Sequence, residues 1–136
     1  MAVSFVPGEL DLDSALSRMD GNTAILGRVL QSFAKSLQQA PEQLAGHLQH
    51  ALQTGQMTES VRMLHTLKGL SATVGARHLA AVTADLEHRC ITAVPKAEQA
   101  RLVTTLQVAV QATAHSVQEA LVKLALTTSS QNRNGS

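Results

Sequence analysis

Apolar residues recur every three or four positions along most of this chain, with polar residues between them. From about Thr23 to Gln39, Ile25, Leu26, Val29, Leu30, Phe33 and Leu37 keep that spacing. A stripe of this kind covers one face of an α-helix, whose period is 3.6 residues. Asp20-Gly21-Asn22 is a turn signal just ahead, and Asn22 suits the helix cap. Pro41 either kinks this helix or opens a new one, because it lacks an N–H and its ring crowds the preceding turn. Leu44, Leu48, Ala51 and Leu52 continue the spacing up to Thr54-Gly55, where glycine suits a left-handed helix end.

The segment from about Thr58 to Val74 carries two neighbouring stripes. Val61, Leu64, Leu67, Ser71 and Val74 form the one expected in the core. Arg62, His65, Lys68, Gly69 and Ala72 form the other, offset by one residue, or about 100° of rotation. His65 should therefore stand beside the core face and point outward. Gly75 can end this helix in a left-handed conformation. A further helix, from about Arg77 to Cys90, should bury Leu79, Val82, Leu86 and Cys90. After Pro95, the longest helix runs from about Lys96 to Leu126. Its stripe is Leu102, Leu106, Val110, Thr113, Val117, Leu121 and Leu124.

At the other end, residues 1–8 read as an extended lead ended by Pro7-Gly8. A short helix from Leu12 to about Met19 follows, capped by Asp11 or Asp13. Residues 127–136 lack an apolar pattern and read as a disordered tail. Long amphipathic helices with short connections pack antiparallel. The expected fold is all-α: an antiparallel four-helix bundle over residues 9–126 with one or two additional short N-terminal helices. No internal repeat of fixed period is present.

Composition sharpens this picture. A chain of 136 residues is most simply one domain. Two Phe and no Trp or Tyr leave little for a β-rich core, and favour helix. A net charge of +1 without basic runs, and the near absence of aromatics for base stacking, argue against nucleic-acid binding. The single cysteine, Cys90, cannot form an internal disulfide, which fits a reducing cytoplasmic setting. No signal peptide is evident at the N-terminus. No apolar run approaches the roughly 20 residues that span a bilayer, so no membrane contact is expected of this segment.

The stretch that carries chemistry is His65-Thr66-Leu67-Lys68-Gly69, followed by Gly75-Ala76. Positions i, i+3 and i+4 share one helix face, so an imidazole, an ammonium and bare backbone lie side by side. A neutral imidazole is a nucleophile near pH 7. Lys68 can offset charge on a bulky anionic group, and Gly69 leaves room for it. A mid-helix glycine costs about 1 kcal/mol relative to alanine, so its presence asks for a reason. The plainer readings are a solvated histidine, a solvated lysine, and a glycine that lets two helices pack closely. Other residues offer less. His47 and His50 share a face without a second ligand pair, and Asp85 and His88 form one isolated carboxylate–histidine spacing, so no metal is expected. Asp85 and Glu87 read as ordinary surface charges, and Cys90 as a small core residue. His78, His88 and His115 lack companions of the kind that follow His65.

Beyond its spacing, the His65-to-Gly69 motif with Gly75, Leu79 and Leu86-Glu87 resembles the signature of histidine phosphotransfer (HPt) domains. Phe33 falls where that family keeps a Phe on its second helix. Pro7-Gly8-Glu9-Leu10-Asp11 and Leu16-Ser17-Arg18-Met19-Asp20-Gly21-Asn22 look like the entry segment of the HPt module at the C-terminal end of bacterial hybrid sensor histidine kinases. The likeness covers about residues 7–90. Leu64, Leu70 and Met57-Thr58 depart from the usual pattern. The resemblance implies a phospho-carrier of two-component phosphorelays, not an enzyme, without a nucleotide site. His65 would take a phosphoryl group from the aspartyl phosphate of one response-regulator receiver domain and pass it to the aspartate of another. Lys68 would assist electrostatically and Gly69 would admit the receiver. Arg62 and Ala72 would belong to the docking surface. No cofactor is implied for the chain itself, Mg²⁺ being expected on the receiver. The resemblance also implies a monomer, alone or in cis with a parent hybrid sensor kinase. Two other classes stay open: a helical docking module whose histidine is never phosphorylated, and a metal-binding bundle, which would need inward-facing His and Glu on several helices.

Overall fold

The computed structural model describes residues 5–134, with side chains described as far as residue 126. Five helices follow one another: α1 (Leu12–Arg18), α2 (Thr23–Thr54), α3 (Thr58–Thr73), α4 (Arg77–Arg89) and α5 (Lys96–Asn134). No strand occurs among the described residues. Helix α2 packs along α5 and α3 along α4; α2–α3 and α4–α5 contacts close the square, and α1 rests on α2. This is the expected four-helix bundle with one added N-terminal helix.

The local signals act as their chemistry requires. The Asp11 carboxylate accepts from the Ser14 N–H at 3.1 Å, which makes Asp11 the cap of α1. Asn22 does the same for α2, accepting from the Ile25 N–H at 3.1 Å. Ahead of α1, the Glu9 N–H donates to the Val6 carbonyl at 3.1 Å across Pro7-Gly8. With φ of +79° at Gly8, this is the proline–glycine turn that ends the lead. Residues 1–4 of that lead lie outside the described residues.

Helix α2 settles the question that Pro41 left open. It runs unbroken for 32 residues with Pro41 inside it. Proline removes the bond that Leu37 would otherwise receive. Leu37, Ala40, Leu44 and Leu48 are all buried, and this unbroken apolar stripe holds the helix through the defect. Helix α5 also differs from expectation: its backbone stays helical past Leu126 to Asn134, over most of the tail read as disordered. No proline or glycine interrupts residues 127–134, and extending a formed helix gains one hydrogen bond for each residue fixed. Residues 135–136 lie outside the described residues.

The core runs between the two helix pairs. Leu26, Leu30, Phe33, Leu64, Leu79, Leu86 and Leu106 are each at most 1% exposed. On α4 the buried polar position is Thr83, whose hydroxyl donates to the Leu79 carbonyl at 2.9 Å, while Val82 is half-buried. On α5, Ala109 and Ala120 join the expected stripe, and Leu121 and Leu124 are half-buried. Leu64 and Leu67 fix the rotation of α3, and truncating a residue as buried as Leu64 to alanine costs about 2–5 kcal/mol. That anchorage decides which way His65 points.

Candidate functional site

Helix α3 sends its second stripe outward. Arg62, His65, Gly69 and Ala72 are exposed and Lys68 is half-buried, while Leu64, Leu67 and Ser71 beneath them are buried. The end of α3 is closed by Gly75 at φ +75°. The Ala76 N–H donates to the Ser71 carbonyl at 2.8 Å and the Gly75 N–H to the Ala72 carbonyl at 3.2 Å. A side chain at residue 75 would collide with the Asp11 backbone, whose N–H donates to the Gly75 carbonyl at 2.9 Å. The Arg18 guanidinium donates to the Ala72 and Thr73 carbonyls at 3.2 and 3.3 Å. The entry segment thus holds the C-terminal end of the motif helix.

Glu87 on α4 completes the site, and corrects the reading of that residue as an ordinary surface charge. One carboxylate oxygen lies 3.0 Å from His65 Nδ1, the other 2.8 Å from Lys68 Nζ. The Glu87 side chain is 17% exposed against 70% for His65, so the carboxylate is sheltered while the imidazole is open. The hydrogen bond from Lys68 holds the Glu87 carboxyl below its ordinary value; partial burial opposes this, and His65 adds to the lowering. An ionised carboxylate only accepts hydrogen bonds. His65 Nδ1 must therefore donate, and in the neutral ring the lone pair falls on Nε2. The arrangement presents a nucleophilic nitrogen, oriented from behind, with an ammonium one turn away.

Gly69 has no internal reason to be glycine. A Cβ built there would meet nothing within 4 Å apart from its own helix backbone and chain neighbours. Close packing of two helices is thereby excluded as its cause. Beside this stripe, α2 and α3 enclose an open groove of about 430 Å³, lined by residues that include Ala40, His47, Arg62, Met63, Thr66 and Leu70. Arg62 pairs with Glu59 at 3.5 Å on the rim, and Ala72 lies at the other end of the stripe, beside the Arg18 contact.

The remaining candidates are not brought to this site. His50 is exposed, and His47 faces the groove. Asp85 pairs with Arg89 at 2.9 Å, and His115 with Glu119 at 3.0 Å. Among the described residues no group of three or more His, Cys, Asp or Glu is arranged to hold a metal ion. Cys90 is fully buried, and burial pushes its thiol pKa up. No helix among the described residues is long and apolar enough to cross a membrane.

No curated protein and no solved structure matches the chain. The family model described as "Hpt domain" matches residues 28–120, a span that contains α3, α4 and every group of the His65 site. With that match over more than half its length, and with the helical bundle and motif described above, the chain belongs to the family of histidine phosphotransfer (Hpt) domains.

Proposed function

We propose that His65 is the phosphoryl acceptor, and that it takes its group from the aspartyl phosphate of one receiver domain and gives it to the aspartate of another. Membership of the Hpt family makes the chain a phospho-carrier of phosphorelay signalling whose partners are response-regulator receiver domains. The observation that carries the assignment is the placement of His65: an exposed imidazole whose Nδ1 is engaged by Glu87 at 3.0 Å, leaving Nε2 for an incoming phosphorus.

In the forward step the Nε2 lone pair attacks phosphorus, the bond from phosphorus to the aspartyl oxygen breaks, and its electron pair returns to the receiver carboxylate. Lys68, now held by Glu87, is the ammonium that turns toward the phosphoryl oxygens. Gly69 leaves the approach open, and the groove between α2 and α3, with Arg62 on its rim, receives the partner together with Ala72 at the far end of the stripe. Mg²⁺ belongs to the receiver, and the chain supplies no cofactor of its own. In this reading the module acts as a monomer, alone or in cis with a parent hybrid sensor kinase.

The test is transfer from a panel of phosphorylated receiver domains to this chain, with the His65→Gln variant alongside. An acid-labile, base-stable label that is lost in the variant is the expected result. A folded wild-type chain that no receiver labels would overturn the proposal in favour of a docking platform that is never phosphorylated.

A further inference from the structure

The Glu87 contact has a chemical consequence for the phosphorylated form, and it rests on His65 being the acceptor. When Nε2 attacks phosphorus, the ring becomes an N-phosphoimidazolium: Nε2 carries the phosphoryl group and Nδ1 keeps its proton. In the return step the P–Nε2 bond breaks, the electron pair goes to Nε2, and the leaving group is neutral imidazole still protonated at Nδ1. No proton has to move in either direction, provided that Nδ1 stays protonated throughout. If Nδ1 loses that proton, the leaving group becomes an imidazolate and the phosphoryl group is stranded. We propose that Glu87 is a positioning residue whose negative charge keeps the Nδ1 proton on phospho-His65, and so sets the upper pH limit for passing the phosphoryl group on.

The surroundings fit this role. Glu87 is an acceptor 3.0 Å from Nδ1, sheltered on α4 while the imidazole is exposed. A carboxylate there stabilises the imidazolium, as a buried aspartate does behind a catalytic histidine. The other charged groups near the ring act less directly. On α3, Lys68 neutralises part of the Glu87 charge at 2.8 Å, and Arg62 is paired with Glu59. On α4, Asp85 and Arg89 pair with each other, and His88 follows Glu87 on the exposed side. From α2, His47 lines the groove beyond Arg62, and from α1, Arg18 is bound to the carbonyls that end α3. Lys68 is thus the opposing control: paired with Glu87 it weakens the hold on the Nδ1 proton, and drawn away by the phosphoryl oxygens it strengthens that hold.

The two residues predict opposite effects, which separates charge from mere orientation. Glutamine at position 87 can still accept from Nδ1–H through its amide oxygen, but brings no charge. The full-length chain is phosphorylated with phosphoramidate, and the phosphohistidine signal missing from His65→Gln is followed by ³¹P NMR against pH. Free phosphohistidine, titrated under the same conditions, is the reference. The Glu87→Gln variant is expected to titrate at lower pH than wild type. Its transfer to a receiver, above both midpoints, should be slower by about threefold to tenfold, tenfold being the factor for a midpoint one pH unit lower. Lys68→Met is expected to titrate at higher pH. Circular dichroism confirms that each variant is folded. Equal midpoints in wild type and Glu87→Gln would overturn the proposal while leaving His65 as the acceptor. Failure of every receiver to label wild type would instead overturn the acceptor assignment, and the proposal with it.

Discussion

Gly69 gives a prediction in which stability and function move in opposite directions. It lies inside α3, with its Cβ direction open for 4 Å apart from its own helix, so an added methyl group meets no clash in the free domain. Alanine in a helix interior is favoured over glycine by about 0.8–1.0 kcal/mol, because glycine loses more backbone freedom on folding. Gly69→Ala should therefore stabilise the domain by about 1 kcal/mol. For a chain of this size that corresponds to a rise of about 3–5 °C in Tm. In urea it moves the midpoint up by about 0.5 M at an ordinary dependence on denaturant. Gly69→Leu should keep most of this gain, since leucine is nearly as good a helix former. Yet a leucine one turn after His65 stands where the receiver must arrive. Displacing the reacting groups by even 1 Å costs about 100-fold in rate, so Gly69→Leu should lose about that much phosphotransfer. The pair of assays is urea unfolding and transfer from a phosphorylated receiver, on the same preparations. A Gly69→Leu variant that transfers at the wild-type rate would refute the access argument. A Gly69→Ala variant less stable than wild type would show that the side chain does meet a neighbour.

Lys68→Ala should slow receiver-to-His65 transfer by about tenfold, a modest loss because the ammonium is partly exposed and screened, and an unchanged rate would remove its electrostatic role. The Glu87 carboxyl titrates below its ordinary 4.5 in the folded chain, so its stabilising contribution is present above that value and disappears as the pH falls through the lowered native one. Urea unfolding of wild type and Glu87→Gln across this range should show a stability difference at neutral pH that vanishes in acid; a gap independent of pH would contradict the linkage. Native Cys90, fully buried, should resist alkylation by iodoacetamide until the chain unfolds, and rapid reaction of the folded chain would contradict its burial. Pro41→Ala should restore an N–H donor to Leu37 and raise stability by about 1 kcal/mol or more, and a lowered urea midpoint would contradict this.

Much of this architecture is written in local pattern. Helix positions follow from the three-and-four spacing, and helix ends from Asp11, Asn22, Gly55 and Gly75, because caps and left-handed glycines act on residues a few positions away. The outward direction of His65 follows from the same logic, since Leu64 and Leu67 must be buried and the next position along cannot be. Pro41 was ambiguous because its effect depends on whether α2 is held from outside, and the partner that holds it, α5, begins more than fifty residues later. The backbone of α5 continues past the apolar pattern for a related reason: extending a formed helix needs no apolar face, only the next hydrogen bond.

Glu87 exposes the deeper limit. Its own helix offers no hint of function, since Asp85, Glu87, His88 and Arg89 form an unremarkable charged run and two of them pair with each other. The sequence clue was the Leu86-Glu87 pair within the family resemblance, in which Leu86 is the core anchor that turns Glu87 toward α3. What makes Glu87 chemical is a tertiary contact across 22 positions, between residues that no periodicity relates. The contact depends on the α3–α4 packing, which in turn depends on Gly75 turning the chain back at a point where only a residue without a Cβ fits against Asp11. The entry segment is therefore part of the site's mechanics although it contributes no reacting group. By holding the α3–α4 turn, it holds the spacing between a carboxylate and an imidazole, and that spacing decides which nitrogen of His65 is left to react.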